Sequence, residues 1–340
     1  MTTKTVEIPP WSAALWFFGP YSFALLVIHL LSSHVWNDTL IILFLMVEQV
    51  VQVLYAPKIN SIGGGMMCSL SLISLVLLNK GMTCGPIRSM ITMELIMNGG
   101  FRYVHLISTE TLRTRSFTHR IAVVTIFSDV TTAAYVDAKQ AWKEGAAMLA
   151  SIALAVSIAI GAYVFIPVIP QLVVPFLVLP LRSFVGAVFI YSCLTIIDGV
   201  YRGSLLCITP LGVLCESAMD KPFVAHSFQN FWSTRWDKPM QSILFHGVFK
   251  PCRKHLGFTA STSVVATFLA SGVIHTLGVA ACGWVSFNSC MMMMLFFVVQ
   301  SMFVLLEGGL QIVPGVVATQ TLCWLSSPLF VLPFLEMLQL

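Results

Sequence analysis

Long apolar runs separated by short polar breaks dominate this chain. Several approach the roughly 20 residues a helix needs to cross about 30 Å of hydrocarbon. Runs of this kind cover 12–32, 38–56, 66–79, 146–165, 182–200, 262–284, 289–306 and 317–338, with less regular apolar stretches at 88–100, 120–135, 166–180 and 203–219. The pattern predicts an all-α, polytopic integral membrane protein with about eight to ten transmembrane helices. No repeat, linker or low-complexity tail divides residues 1–340, so a single membrane-embedded domain is expected.

The breaks differ in character. Gly63, Gly64 and Gly65 interrupt the runs without the Lys-Ser/Thr that would make a phosphate loop, so they read as a flexible connection. Residues 101–145 are mixed in polarity and predict helix and loop at the cytosolic interface. Pro167, Pro170, Pro175 and Pro180 fall close together. Two readings fit them: cavity-lining or re-entrant backbone, which protein or water must satisfy, or a plain kinked hairpin. Asp198, Tyr201 and Arg202 close a span and read as snorkelling interfacial charges. From Met219 to Gly257 the chain is polar, aromatic and basic. Phe228, Trp232 and Trp236 share a helical face there, as in a segment lying in the headgroup plane. Met291 to Met294 form a pliable lipid-facing or packing surface.

Composition supports the membrane reading. Of 340 residues, 57% are hydrophobic and 9% charged, with a mean hydropathy of +0.89. A soluble domain carries about 25% charged residues, so an ordinary wet surface is excluded. The net charge is only +4, and no nucleic-acid partner is expected. Arg102, Arg113, Arg115 and Arg120 form one basic cluster; Arg235, Lys238, Lys250, Arg253, Lys254 and His255 form another. The positive-inside rule puts both on the cytosolic face, as topology determinants and lipid contacts or as ligand groups. The polar start, Met1 to Trp11, lacks a basic leader and cleavage site, so the first span is expected to persist as a signal anchor. Nine cysteines form no CxxC pair and read as small buried hydrophobes.

One position carries chemistry of its own. His275 is the single His, Asp, Glu, Lys or Arg between Leu256 and Leu306. An ionisable group inside an apolar segment is costly, which makes function the default reading and a structural histidine bonded to a neighbouring helix the alternative. Imidazole titrates near neutrality, and hydrocarbon keeps it neutral, as a general base must be. Ser271, Gly272 and Gly278 are small and admit a close helix or ligand.

The strings around these residues carry a resemblance. Ser-Phe-Gln-Asn-Phe-Trp-Ser-Thr-Arg-Trp at 227–236, followed by Ala-Ser-Gly-Val-Ile-His at 270–275, resembles the paired signature of the wax synthase-like membrane-bound O-acyltransferases, including the acetyltransferases of fungal natural-product pathways. In that family Ser-x-x-Asp-Phe-Trp-Gly-x-x-Trp precedes Ser-Gly-x-x-His-Glu by a similar distance. The likeness covers roughly 226–280. It implies a helical bundle enclosing a central cavity in the endoplasmic reticulum membrane. It also implies transfer of an acyl group from acyl-CoA, acetyl-CoA favoured, to the hydroxyl of a lipophilic alcohol such as a terpenoid, a polyketide or a long-chain alcohol. No permanently bound cofactor and no metal are implied. His275 would be the base. Asn230, or Arg235 and Asp237, would position groups and steady the oxyanion; Arg235, Trp232, Trp236 and Ser271 would bind substrate or CoA.

Three positions depart from the family pattern: Asn230 replaces Asp, Ser233 replaces Gly, and Thr276 replaces the Glu after the histidine. A carboxylate at that last position could tune the imidazole, so its loss bears on activity. Two other classes fit parts of the pattern. A membrane terpenoid cyclase or isomerase would use His275 or Asp237 to move a proton without CoA. A proton-coupled transporter would use His275 as a relay, but should show two related halves with matching broken helices, and the break at 166–180 has no counterpart. The absence of HExxH and DDxxD strings argues against a metal hydrolase or a diphosphate-dependent prenyltransferase.

Overall fold

A computed structural model of the chain describes residues 134–208, 213–281 and 283–340, together with Leu43, Val47, Val50, Val51, Leu54 and Arg120. Those first five are helical and fall in the apolar run at 38–56; the runs at 12–32, 66–79 and 88–100 and the three glycines lie outside the described residues. Among the described residues four helices are long and apolar enough to cross a membrane, and a bent pair makes up to five. The protein is a helical integral membrane protein.

A two-residue strand, β1 (Ala134–Tyr135), leads into α1 (Ala138–Phe165). Asp137 starts the helix by accepting the N–H of Gln140 at 2.7 Å, which satisfies one of the donors a helix start leaves open. Lys139, Lys143 and Glu144 fall in the first turns of α1. The proline-rich stretch is the corner of a hairpin. A turn at Ile166–Val168 and α2 (Ile169–Leu172) carry Pro167 and Pro170 near their first positions, where a missing N–H costs nothing. The chain extends at Val173, and Pro175 opens α3 (Pro175–Ile208), which returns along α1. Of the two readings open for 166–180, the plain hairpin holds: Ile166 and Ile169 are fully buried, and no residue of that stretch lines the main cavity.

The described residues of the apolar stretch at 203–219 do not form one continuous helix. The stretch holds the end of α3 and β2 (Val213–Leu214), which pairs antiparallel with β1. Asp198 and Arg202 are likewise not snorkelling outward. Asp198 is buried and accepts from Ser217 Oγ at 2.8 Å and Ala218 N at 3.1 Å. Arg202 lies 3.5 Å from Asp198 Oδ2 and donates to the carbonyl of Cys215 at 2.9 Å. The pair fastens the segment that enters the 227–236 string onto α3.

That string and its continuation break into short pieces: α4 (Phe228–Asn230), a π turn at Phe231–Arg235, α5 (Lys238–Leu244), a second π turn at Phe245–Phe249, and α6 (Lys250–His255). A continuous helix lying in the headgroup plane is therefore not formed. Two long helices follow, α7 (Ala260–Ala280), capped by Thr259, and α8 (Phe287–Leu310), capped by Ser286. Met293 is fully buried while Met291 is half exposed, so the methionine run serves packing on one side only.

The last apolar run is two helices, α9 (Gly315–Ser326) and α10 (Pro328–Met337), bent by 44°. Pro328 lacks an N–H to continue the ladder. Ser326 and Ser327 donate back to carbonyls of the preceding turn, Ser327 Oγ to Trp324 O at 2.7 Å; such back-bonding bends helices. α10 packs between α3 and α8. Within a membrane close packing, rather than water exclusion, holds helices together. Glycines sit where backbones meet: a Cβ on Gly186 would strike Val331 Cγ1, and one on Gly199 would lie 2.6 Å from Ile152 Cγ1.

Candidate active site

The described residues line a cavity of about 1210 Å³ between α3, the 222–249 segment, α7, α8 and the bent α9–α10 pair. On α7 its wall is the stripe Val264, Thr267, Phe268, Ser271 and His275, spaced as one face of a helix. That stripe runs roughly 16 Å along α7 at about 1.5 Å per residue, and His275 is its last member. From α8 come Phe296, Phe297, Gln300 and Val304, and from α9 and α10 Gln320, Thr321, Cys323, Trp324, Ser327, Phe330 and Val331.

The His275 ring is held on both sides. Nδ1 lies 2.8 Å from the carbonyl oxygen of Ser271, one turn earlier. A carbonyl can only accept, so Nδ1 carries the proton and the neutral ring keeps its basic lone pair on Nε2. Phe297 lies tilted against the ring, centroids 4.8 Å apart and planes at 35°, and Phe330 approaches edge-on at 5.5 Å and 63°. Gly272 makes this approach possible, since a Cβ there would lie 2.7 Å from Met294 Sδ and 3.3 Å from Phe297 Cβ. Thr276 is turned toward α8, its hydroxyl 3.4 Å from the carbonyl of Cys290.

The 227–236 string supplies the opposite wall. Phe231 stacks on Trp236 at 5.4 Å, and Trp232 meets Phe268 edge-on at 5.7 Å. These rings point into the protein rather than into headgroups. The Trp232 indole N–H donates to Gln300 Oε1 at 3.1 Å, and Gln300 Nε2 donates to Ser326 Oγ at 2.9 Å. One buried amide thus ties the string to α8 and to the bend of the last span. Behind the string, Glu307 accepts the N–H of Phe228 at 2.6 Å, Gly315 N donates to His226 O at 2.9 Å, and Gln320 Nε2 donates to Pro222 O at 3.0 Å.

The other expected site residues divide into two groups. Trp232, Trp236, Asp237, Ser271 and His275 line one cavity. Asn230 and Arg235 do not; they face each other. Arg235 Nε donates to Asn230 Oδ1 at 2.7 Å and its NH1 to the carbonyl of Asp220 at 3.0 Å, while Asn230 Nδ2 donates to Thr234 Oγ1 at 2.9 Å. This pair shapes the π turn instead of the cavity wall. Asp237 has a left-handed backbone, φ 46°, and caps α5 by accepting the N–H of Met240 at 3.2 Å. Asp tolerates that conformation better than most residues.

Sequence reasoning passed over Gln300 and Tyr191. Gln300 is an amide in the middle of an apolar run, and Tyr191 stands mid-span where tyrosines usually sit at interfaces. Both signals were available. Phe297 and Phe330 had none, because nothing separates them in sequence from the other phenylalanines of their helices. No three His, Cys, Asp or Glu side chains gather as a metal site among the described residues.

A His275 ring oriented through its Nδ1 bond to Ser271 O lines a large, mostly apolar cavity inside a helical membrane protein. Part of the chain is similar to known proteins. Residues 215–299 match the model of the Membrane bound O-acyl transferase family. Three proteins of Arabidopsis thaliana are similar to parts of this chain. Probable long-chain-alcohol O-fatty-acyltransferase 9 is 34% identical over 73 residues, 20% of this chain and 21% of its own length. Probable long-chain-alcohol O-fatty-acyltransferase 6 is 35% identical over 71 residues, 20% of each chain, and number 2 is 33% identical over 86 residues, 23% of this chain and 24% of its own. The matched stretch thus spans between a fifth and a quarter of each relative.

Proposed function

We propose that this protein transfers an acyl group from acyl-CoA to the hydroxyl of a lipophilic alcohol, with His275 as general base. The observation that carries the reading is the Nδ1 bond to Ser271 O, which leaves Nε2 as the basic atom of a ring lining the cavity. Nε2 takes the alcohol proton as the oxygen attacks the thioester carbonyl; the C–S bond then breaks, and the imidazolium returns the proton to the CoA thiolate. Ser271, one turn away on the same cavity face, is the hydroxyl best placed along α7 to orient a substrate oxygen.

The cavity supports two apolar substrates at once. At about 1210 Å³ it exceeds the roughly 300–1,000 Å³ that holds a drug-sized ligand. Its wall includes Phe245 and Phe249, and Lys250 Nζ sits 5.2 Å over the Phe245 ring at the start of basic α6. The phosphate end of CoA is assigned to that side, with Lys238 in the wall and Arg253 and Lys254 beyond. By the positive-inside rule this is the cytosolic face, as expected for an enzyme of the endoplasmic reticulum. Arg235 contributes by holding the π turn. Acetyl-CoA is the donor proposed from the sequence resemblance, and a terpenoid, polyketide or long-chain alcohol the acceptor. The names of the relatives carry a fatty-acyl donor and a long-chain alcohol.

The test is CoA release from microsomes given hexadecanol with acetyl-CoA or palmitoyl-CoA. Loss of general-base help costs about 10²–10⁴-fold, so His275→Ala is expected to lose at least a hundredfold in turnover while inserting normally. Release unchanged in His275→Ala contradicts the proposal. The faster donor decides between acetyl and long-chain acyl transfer.

A further inference from the structure

We infer that Phe297 is an electrostatic partner of His275: its ring face stabilises the imidazolium that forms during acyl transfer, in the place of a carboxylate. The inference rests on His275 acting as base, as proposed above.

A base that accepts a proton becomes a cation, and inside hydrocarbon that cation needs a partner. A carboxylate is the usual one. Here the position after the histidine is Thr276, whose side chain is directed at the Cys290 carbonyl rather than at the ring. Among the described residues the one acidic side chain lining the cavity is Asp237, which caps α5. Glu336, on α10, accepts from Ser286 and Ser289 instead. Nδ1 has a neutral carbonyl. What lies against the imidazole is the Phe297 ring, centroid to centroid 4.8 Å at a 35° tilt.

A benzene ring carries negative charge on its face and positive charge at its edge, so a cation within about 6 Å of the centroid over that face is attracted. The neutral imidazole gains little from this; the imidazolium gains more. The contact is therefore stronger in the transition state than in the ground state, which is the condition for raising kcat. The surroundings fix the geometry. Phe297 is 2% exposed, Phe296 braces it edge-on at 5.2 Å and 84°, and the bare Gly272 lets α8 come close enough for the stack. In the balanced step, the proton leaves the alcohol oxygen for Nε2, rests on the ring while the tetrahedral centre forms and the C–S bond breaks, and passes to the thiolate sulfur.

Fluorination separates this from packing, because fluorine drains charge from the ring face with little change in size. Position 297 is replaced in turn by 4-fluoro-, 3,5-difluoro- and 3,4,5-trifluorophenylalanine in the full-length protein, and CoA release with hexadecanol and the faster donor is followed. The expected result is a stepwise fall in kcat, about tenfold from Phe to the trifluoro ring, with KM and thermal stability unchanged. If the trifluoro protein fails to accumulate, the mono- and difluoro variants still define the slope. A kcat indifferent to fluorine overturns the inference. If His275→Ala in the same membranes is inactive, only the role of Phe297 has failed; if His275→Ala remains active, the acyl-transfer reading itself has failed.

Discussion

Two residues that look alike as motif members do different work. His275 reaches the cavity, whereas Asn230 turns away from it and accepts from Arg235 Nε at 2.7 Å. The family pattern has Asp at that position, and a carboxylate would strengthen the bond to a guanidinium. Asn230→Asp is therefore expected to retain turnover and raise thermal stability in detergent. Asn230→Ala is expected to lose about 1–3 kcal/mol of stability, the cost of stranding a part-buried partner. Thermal unfolding of the two variants beside the wild type checks this; an Asn230→Ala protein of normal stability that has lost kcat alone would return Asn230 to the reacting groups. The sequence made His275 legible as a candidate, because an ionisable group stands out in an apolar run. It could not assign Asn230, since a polar residue in a signature string looks the same whether it binds substrate or folds the string.

At the scale of elements, close approach of helices is what aligns the cavity wall. α3 and α10 meet at Gly186, where an added Cβ would strike Val331 Cγ1. Valine is stiff about its side-chain bond and cannot swing aside. Gly186→Ala is expected to destabilise by about 1–3 kcal/mol through overpacking, and Val331→Ala in the same chain to restore most of the loss. Melting temperatures of the single and double variants measure the coupling; two losses that simply add would show that the helices do not touch there. The long apolar helices were readable from run length. The hairpin at 166–174 was readable only as one of two options, since prolines mark a break without saying which way the chain turns. The bend at Ser327 was missed because Ser326, Ser327 and Pro328 interrupt an otherwise continuous apolar run by only three residues.

Within the described residues the whole molecule brings His275 onto the wall of one large cavity. Segments far apart in sequence meet there: α3, the 227–236 string, whose start is held by Glu307 and whose lead-in at 215–218 is fastened by Asp198 and Arg202, and the bent final span. Which apolar residues line a cavity depends on tertiary packing, so the membrane class was legible and the chamber was not. The basic α6 beside Phe245 and Phe249 gives the chamber an orientation, with His275 at the far end of the α7 stripe. The most direct measurement is an experimental structure with hexadecanol and a non-reactive thioether analogue of acyl-CoA bound together. The account predicts the alcohol oxygen about 2.6–3.2 Å from His275 Nε2, facing the carbon that would be the thioester carbonyl, with the CoA phosphates toward α6. An alcohol bound with its hydroxyl away from that nitrogen, or an Nε2 bonded to another protein group, would contradict it.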